Sequence, residues 1–332
     1  MRSVLLLSLL ALGLVASVVV SLGAGAVRLS PSQVAAALLG HESGGAGAVV
    51  REIRLPRTGM ALLAGAALSA AGGVFQALLR NPLADPFLLG VSSGSALGAV
   101  LGMTLSAAVG RPLPRVLAAL LGGLVSLSLV YLLARRDGRL HPTSLILSGV
   151  IVSSFCSSVL LFLSVMAEAR QLQGAVFWLM GGLSGAAAGG VLPMAAAVVP
   201  VLAILFLRSA RLNLLTQGED AAASMGLDVL RERRILFFLG CMATGVTVAF
   251  TGLIGFVGLV VPHAARLLGG PDHRVLLPAS ILLGASFLIL SDTTARTILA
   301  PAELPVGALT AFVGAPFFLL LQRRHGHGWI EP

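Results

Sequence analysis

Of the 332 residues, 57% are hydrophobic and only 11% charged, and the mean hydropathy is +0.99. Soluble domains carry about 25% charged residues, so an aqueous monomer is excluded and lipid must solvate most of this surface. The net charge of +9 is carried by arginine without a single lysine, and no basic run is interleaved with aromatics, which argues against a nucleic-acid partner.

At the N-terminus, Arg2, an apolar run and the small residues Gly23 to Ala26 have the outline of a secretory signal. The run from Ser3 to Val27 is nevertheless long enough to cross a bilayer, so an uncleaved first helix is expected. Charged residues then divide the chain into uncharged stretches at 58–79, 86–110, 116–134, 142–167, 171–207, 235–265, 275–291 and 304–322. At about 20 residues per crossing most of these are single helices, and two are too long. The stretch 171–207 opens with a glycine-rich segment and reads as a short surface helix followed by one span from about 190 to 207. The stretch 235–265 is interrupted by Gly252, Gly255 and Gly258, and splits into two helices, the second a short one over 256–268. Ten spans result, in an all-α, single-domain protein over 1–332. Cys156 and Cys241 have no metal-ligand or disulfide spacing and read as small buried hydrophobes.

Ten is even, so both termini share one side. With the termini in the cytoplasm of an inner membrane, fourteen arginines fall inside and eight outside, as the positive-inside bias requires. Four of the outer eight, Arg28, Arg51, Arg54 and Arg57, lie in one segment, a local exception that points to a task outside the bilayer. The main polar interruption, 208–234, falls on the cytoplasmic side. Glu219 and Asp220 suit a helix N-terminus, Gly226 can end that helix, and Asp228 can cap the next, so two short helices are expected across the inner face.

From Arg54 to Gln322 the chain resembles the permease subunits of iron-siderophore, haem and vitamin B12 ABC importers. The resemblance rests on ordered blocks: Arg54-Leu55-Pro56-Arg57 with Gly65, Gly72 and Gln76; Arg80-Asn81-Pro82-Leu83-Ala84 with Pro86; Gly255 to Leu259 with Pro262-His263; and Asp292, Arg296 and Glu303 to Gly307. It implies ten transmembrane helices with helices 2–5 and 7–10 as inverted repeats, the type II importer permease fold. It further implies a homodimer with the pathway on its axis, two ATP-binding subunits and a soluble substrate-binding protein, and no cofactor or metal. Under the resemblance, 213–227 holds the coupling helices, with Gly218, Glu219, Ala222 and Gly226 at motif positions against the ATPase. Arg54, Arg57 and Arg296 would receive acidic residues of the binding protein. Asn81, Leu83, Thr143 and Ser144 would stand at the inner gate of the pathway.

Plainer readings stand beside these. Arg296 can pair with Asp292 at i, i+4; the 80–86 and 141–144 segments can be turn and capping chemistry; His263 and His273 read as structural. The serines of the fifth span can serve packing or line a weakly polar wall. No GxxxxGK[ST] pattern occurs, so hydrolysis of ATP would fall to a partner and the chain itself would be a transport subunit without catalytic residues. An ion-gradient-driven secondary transporter is the alternative, but such carriers need ionisable groups near the midplane, and the long spans hold almost none. An intramembrane enzyme is disfavoured by the lack of a HExxH motif or paired carboxylates.

Overall fold

The computed structural model describes residues 2–325 apart from 26, 42, 43, 112, 137, 138, 186 and 187. Fifteen α-helices follow in order: α1 (Arg2–Gly23), α2 (Pro31–Leu38), α3 (Gly45–Ala48), α4 (Leu55–Leu78), α5 (Val91–Val109), α6 (Arg115–Ala134), α7 (Pro142–Met166), α8 (Ala169–Leu179), α9 (Ala188–Leu207), α10 (Ser209–Thr216), α11 (Glu219–Ser224), α12 (Val229–Thr251), α13 (Val257–Gly269), α14 (His273–Ala295) and α15 (Val306–His325). A π-helical turn, Val49–Arg54, joins α3 to α4, so one helical run extends from Gly45 to Leu78. Among the described residues, eight helices are long and apolar enough to cross a membrane, and α13 and α15 are shorter apolar ones. Together they are the ten expected spans, and both expected divisions are present: α8 precedes α9, and α12 stops at Thr251 before the short α13. The chain is a multi-pass membrane protein.

One feature of the second span lay beyond its uncharged stretch: the helix begins at Gly45, not near Thr58, because Glu52 and the arginines of 51–57 are carried within helical turns. A two-stranded ribbon, β1 (Arg135–Arg136) with β2 (Arg139–Leu140), joins α6 to α7.

Helix α4 is the axis of the bundle. Its sequence is rich in Ala and Gly, and nearly every residue from Pro56 to Leu78 is buried, against α9, α12, α13 and α14. In lipid the apolar effect does not drive helices together, so close backbone approach and dispersion must. Gly72 shows how close: a Cβ there would lie 1.8 Å from the Gly258 carbonyl oxygen of α13. Gly72→Val should therefore wedge α4 off α13 and, on the scale of core overpacking, destabilise by about 1–3 kcal/mol. A thermal melt of the detergent-solubilised protein unchanged by this substitution would show that the contact is not as tight as it is drawn. One turn further along α4, Phe75 meets the edge of Phe237 at a centroid separation of 6.4 Å, tying α4 to α12.

The outward surface is lipid-like: Phe162, Val165, Leu192, Leu207 and Phe312 are all exposed. Helix α7 differs. Its exposed side mixes Ser154, Ser157 and Ser158 with Val150, Ile151 and Phe155. The two halves also break at opposite faces. Helix α4 ends near Leu79 and α12 ends near Gly252, and the four spans between them place these two ends on opposite sides, as an inverted repeat requires.

Candidate coupling platform, gate loops and arginine clasp

At one end of the bundle, α10 and α11 lie between α9 and α12. Asn213 anchors α10: its amide nitrogen donates to Asp272 Oδ1 (2.6 Å), while its Oδ1 accepts from the His273 backbone N–H (2.8 Å) and lies 2.8 Å from His273 Nδ1. His273 thus has the structural role expected of it. The Arg274 amide and Asn213 hold the exposed Asp272 carboxyl below its usual range, and Asp272 caps α14.

Gly218 starts α11 at a φ of +125°, and Gly226 follows its end at +82°, both conformations that disfavour a side chain. Between them Ala222 is fully buried, seating the helix. Asp228 accepts from the Arg231 amide at 3.0 Å and caps α12 as the sequence predicts. Glu219, at the first turn of α11, is about half exposed and forms an ion pair with Arg233 Nη2 at 2.7 Å. Its carboxyl is held below its usual range, chiefly by that hydrogen bond.

The two loops expected at the inner gate lie at this same end. In the first, Asn81 Oδ1 accepts from the Leu83 amide at 2.9 Å, a turn closed by its own side chain; Asn81 is half-buried and Leu83 exposed. Asp85 caps the short 3-10 turn Pro86–Leu89 by accepting from the Phe87 amide at 2.8 Å. Burial pushes its carboxyl up to about 6, against the opposing pull of that amide. A carboxyl raised in the folded state binds its proton more tightly there, so stability should fall as pH rises from about 4 towards 6 and then level off. Asp85→Asn should abolish that fall in a pH series of thermal melts. In the second loop, Thr143 is exposed and Ser144 half-buried in the first turn of α7. The loops are neighbours: a Cβ on Gly149 of α7 would lie 2.3 Å from the Leu88 carbonyl oxygen.

The opposite end holds Arg54, Arg57 and Arg296, the three arginines that the resemblance sets against acidic residues of a binding protein. All three are buried, at 4%, 6% and 7% exposure. Arg54 donates to the carbonyls of Leu22 (2.7 Å) and Gly23 (3.0 Å), at the C-terminal end of α1, and to that of Val27 just beyond it. Arg57 Nε meets both oxygens of Asp292 (3.0 and 2.9 Å), and its Nη1 meets both of Glu303 (3.0 and 2.9 Å). Arg296 donates to the carbonyl and hydroxyl of Ser21, and its i, i+4 approach to Asp292 is a loose 3.8 Å. A guanidinium at the edge of a bilayer must be paired with something, and these are paired with helix ends and carboxylates of their own chain. They clasp α1, α4, α14 and the 296–305 segment together.

Sequence reasoning missed three residues that organise the inner end. Arg233 is buried and bridges elements far apart in sequence. Glu232 is buried and takes both Arg208 (2.6 Å) and Arg211 (2.9 Å). Arg80 reaches the Leu215 carbonyl at 3.3 Å. A signal existed for Arg233: Leu236, Phe237 and Gly240 follow at i+3, i+4 and i+7, so it begins a buried helical face.

Ten spans around a fully packed central helix, with two neighbouring loops and a two-helix platform at one end, make this a polytopic membrane protein. Comparison with known proteins narrows this class. The cobalamin import system permease of Halobacterium salinarum is 44% identical over 83% of this chain and 73% of its own length. The vitamin B12 import permease of Klebsiella pneumoniae is 42% identical, covering 83% of each chain, and the hemin transport permease of Yersinia pestis is 39% identical, covering 82% of each. A solved structure described as the inward-facing conformation of a metal-chelate type ABC transporter superposes with a TM-score of 0.86 at 34% identity, covering 96% of this chain and 98% of that one. Residues 13–324 match the FecCD transport family, and the chain belongs to it. It is a membrane-spanning permease subunit of an ABC importer.

Proposed function

We propose that the chain is one half of a homodimeric importer for a metal chelate of the cobalamin, haem or ferric-siderophore class. Two separate ATP-binding subunits drive it from the α10–α11 platform, and a soluble binding protein delivers cargo at the opposite face. Both termini lie in the cytoplasm. The observation that carries this reading is α11 itself: a six-residue helix seated by Ala222, it leaves Ala223, Ser224 and the large apolar Met225 exposed beside the gate loops. An exposed methionine on a small-residue helix outside the spans is a surface suited to a protein partner. The mixed serine and aliphatic side of α7 suits a pathway wall at the dimer axis, with Asn81, Leu83, Thr143 and Ser144 at its inner mouth. Because the arginine clasp is internally paired, delivery is assigned to the rim beside it, where Arg28 and Glu52 are exposed.

Uptake by proteoliposomes containing the chain should require ATP, an ATPase subunit and a binding protein. Cobalamin is the first cargo to test, since two of the relatives above are named for it. Uptake driven by an ion gradient without ATP would favour the secondary-transporter alternative. A cysteine replacing Ser224 should react only from the cytoplasm and one replacing Ser30 only from outside; the reverse pattern would invert the orientation.

A further inference from the structure

The platform and the gate loops are connected by more than proximity. Arg233 sits in the first turns of α12, 5% exposed. Its Nη2 holds Glu219 of α11 at 2.7 Å, and its Nη1 donates to the Leu140 carbonyl at 3.1 Å. Leu140 is the last residue of β2, paired in the ribbon with Arg135, and only His141 separates it from α7. One planar, rigid fork therefore spans the outermost helix of the platform, the long helix α12 and the hairpin that leads into Thr143 and Ser144. A second strut runs in parallel: Arg80 reaches the carbonyl of Leu215 in α10 from the start of the other gate loop. Arg80 does so with a φ of +47°, a left-handed backbone that a bulky residue adopts only when its surroundings hold it there.

We propose that Arg233 is the positioning residue through which displacement of α11 is passed to the inner gate, by fixing Glu219 and the Leu140 carbonyl to one guanidinium. This rests on the reading of α10–α11 as the ATPase platform. The geometry suits the task. A partner that pulls or tilts α11 acts on Glu219, whose exposed half it can reach. Arg233 cannot follow without dragging the 135–140 ribbon, because its buried guanidinium has no water to exchange for the Leu140 oxygen. An ammonium in its place could keep the charge pair with Glu219 but could not reproduce the two-pronged bond.

The test uses the full complex with its ATPase subunits in proteoliposomes, with Thr143→Cys as a reporter and a water-soluble maleimide as the probe. Both native cysteines are buried and stay silent. In the parent, binding of a non-hydrolysable ATP analogue should change the labelling rate at position 143 by about five- to a hundredfold, the range of ordinary coupling free energies. Arg233→Lys and Arg233→Gln should assemble with the ATPase yet reduce that change to about twofold or less, well below the ordinary coupling range. A full parental response in either assembled variant would overturn the proposal. Failure of both to assemble would overturn it equally, since the contact would then serve folding alone. A parent that itself ignores the nucleotide would instead refute the proposed function.

Discussion

Truncation of Arg57 to alanine should be the most damaging single change to the fold, at about 3–5 kcal/mol, the usual cost of stranding one member of a buried ion pair. Asp292 is 1% exposed and takes three guanidinium contacts at about 3 Å from Arg57, while Arg296 approaches it only to 3.8 Å. With Arg57 gone, a carboxylate in α14 would lie at the bilayer edge with one loose partner. Glu303 would lose its clamp as well, but it is 42% exposed and can turn to water. The double change Arg57→Met with Asp292→Leu should recover much of the loss, because it removes both charges and keeps the volume. Glu303→Gln alone should cost less than about 1 kcal/mol, as for an exposed pair. Thermal melts of the three solubilised variants beside the parent would check this order. A mild Arg57→Ala with normal folding would mean that the cluster is accessible, and would reopen these arginines as docking residues.

Glu219→Arg should do the reverse, sparing the fold while abolishing coupled transport. The carboxylate is nearly half exposed, so its pair with Arg233 adds little to stability. An arginine there would face Arg233 and Arg80, and the electrostatic cost of like charges would push α11 from its seat. ATP-dependent uptake should drop by at least about tenfold, equivalent to about 1.4 kcal/mol of lost coupling, while the melting temperature stays close to that of the parent. The carboxyl is depressed in the folded protein, so the pair is complete above the ordinary glutamate range. It is lost only as pH falls through the lowered value, well below neutrality. Uptake at pH 6 and at pH 8 should therefore not differ on account of this group. Wild-type uptake by Glu219→Arg would remove Glu219 from the mechanism.

By itself the sequence determined the solvent, the number of spans and the places where they break. The reason is that lipid leaves a helix no option but an uncharged run of about 20 residues, and each interruption by charge or clustered glycine can be read locally. The same local chemistry announced α10 and α11, through Glu219, Gly226 and the Asp228 cap. The tertiary structure alone decided which charges are free and which are spent. Arg54, Arg57 and Arg296 look alike along the chain, as three outward arginines in a region where the bias runs against them. What pairs them lies far off in sequence: the α1 end and Val27 for Arg54 and Asp292 and Glu303 for Arg57, 27 to 246 residues away, and Ser21 for Arg296, 275 residues away. Arg233 passed for one charge among four at a helix start until folding brought Glu219 and Leu140 to it. Ion pairing acts over a few ångströms in space and carries no signature in sequence separation, whereas hydrophobic length does.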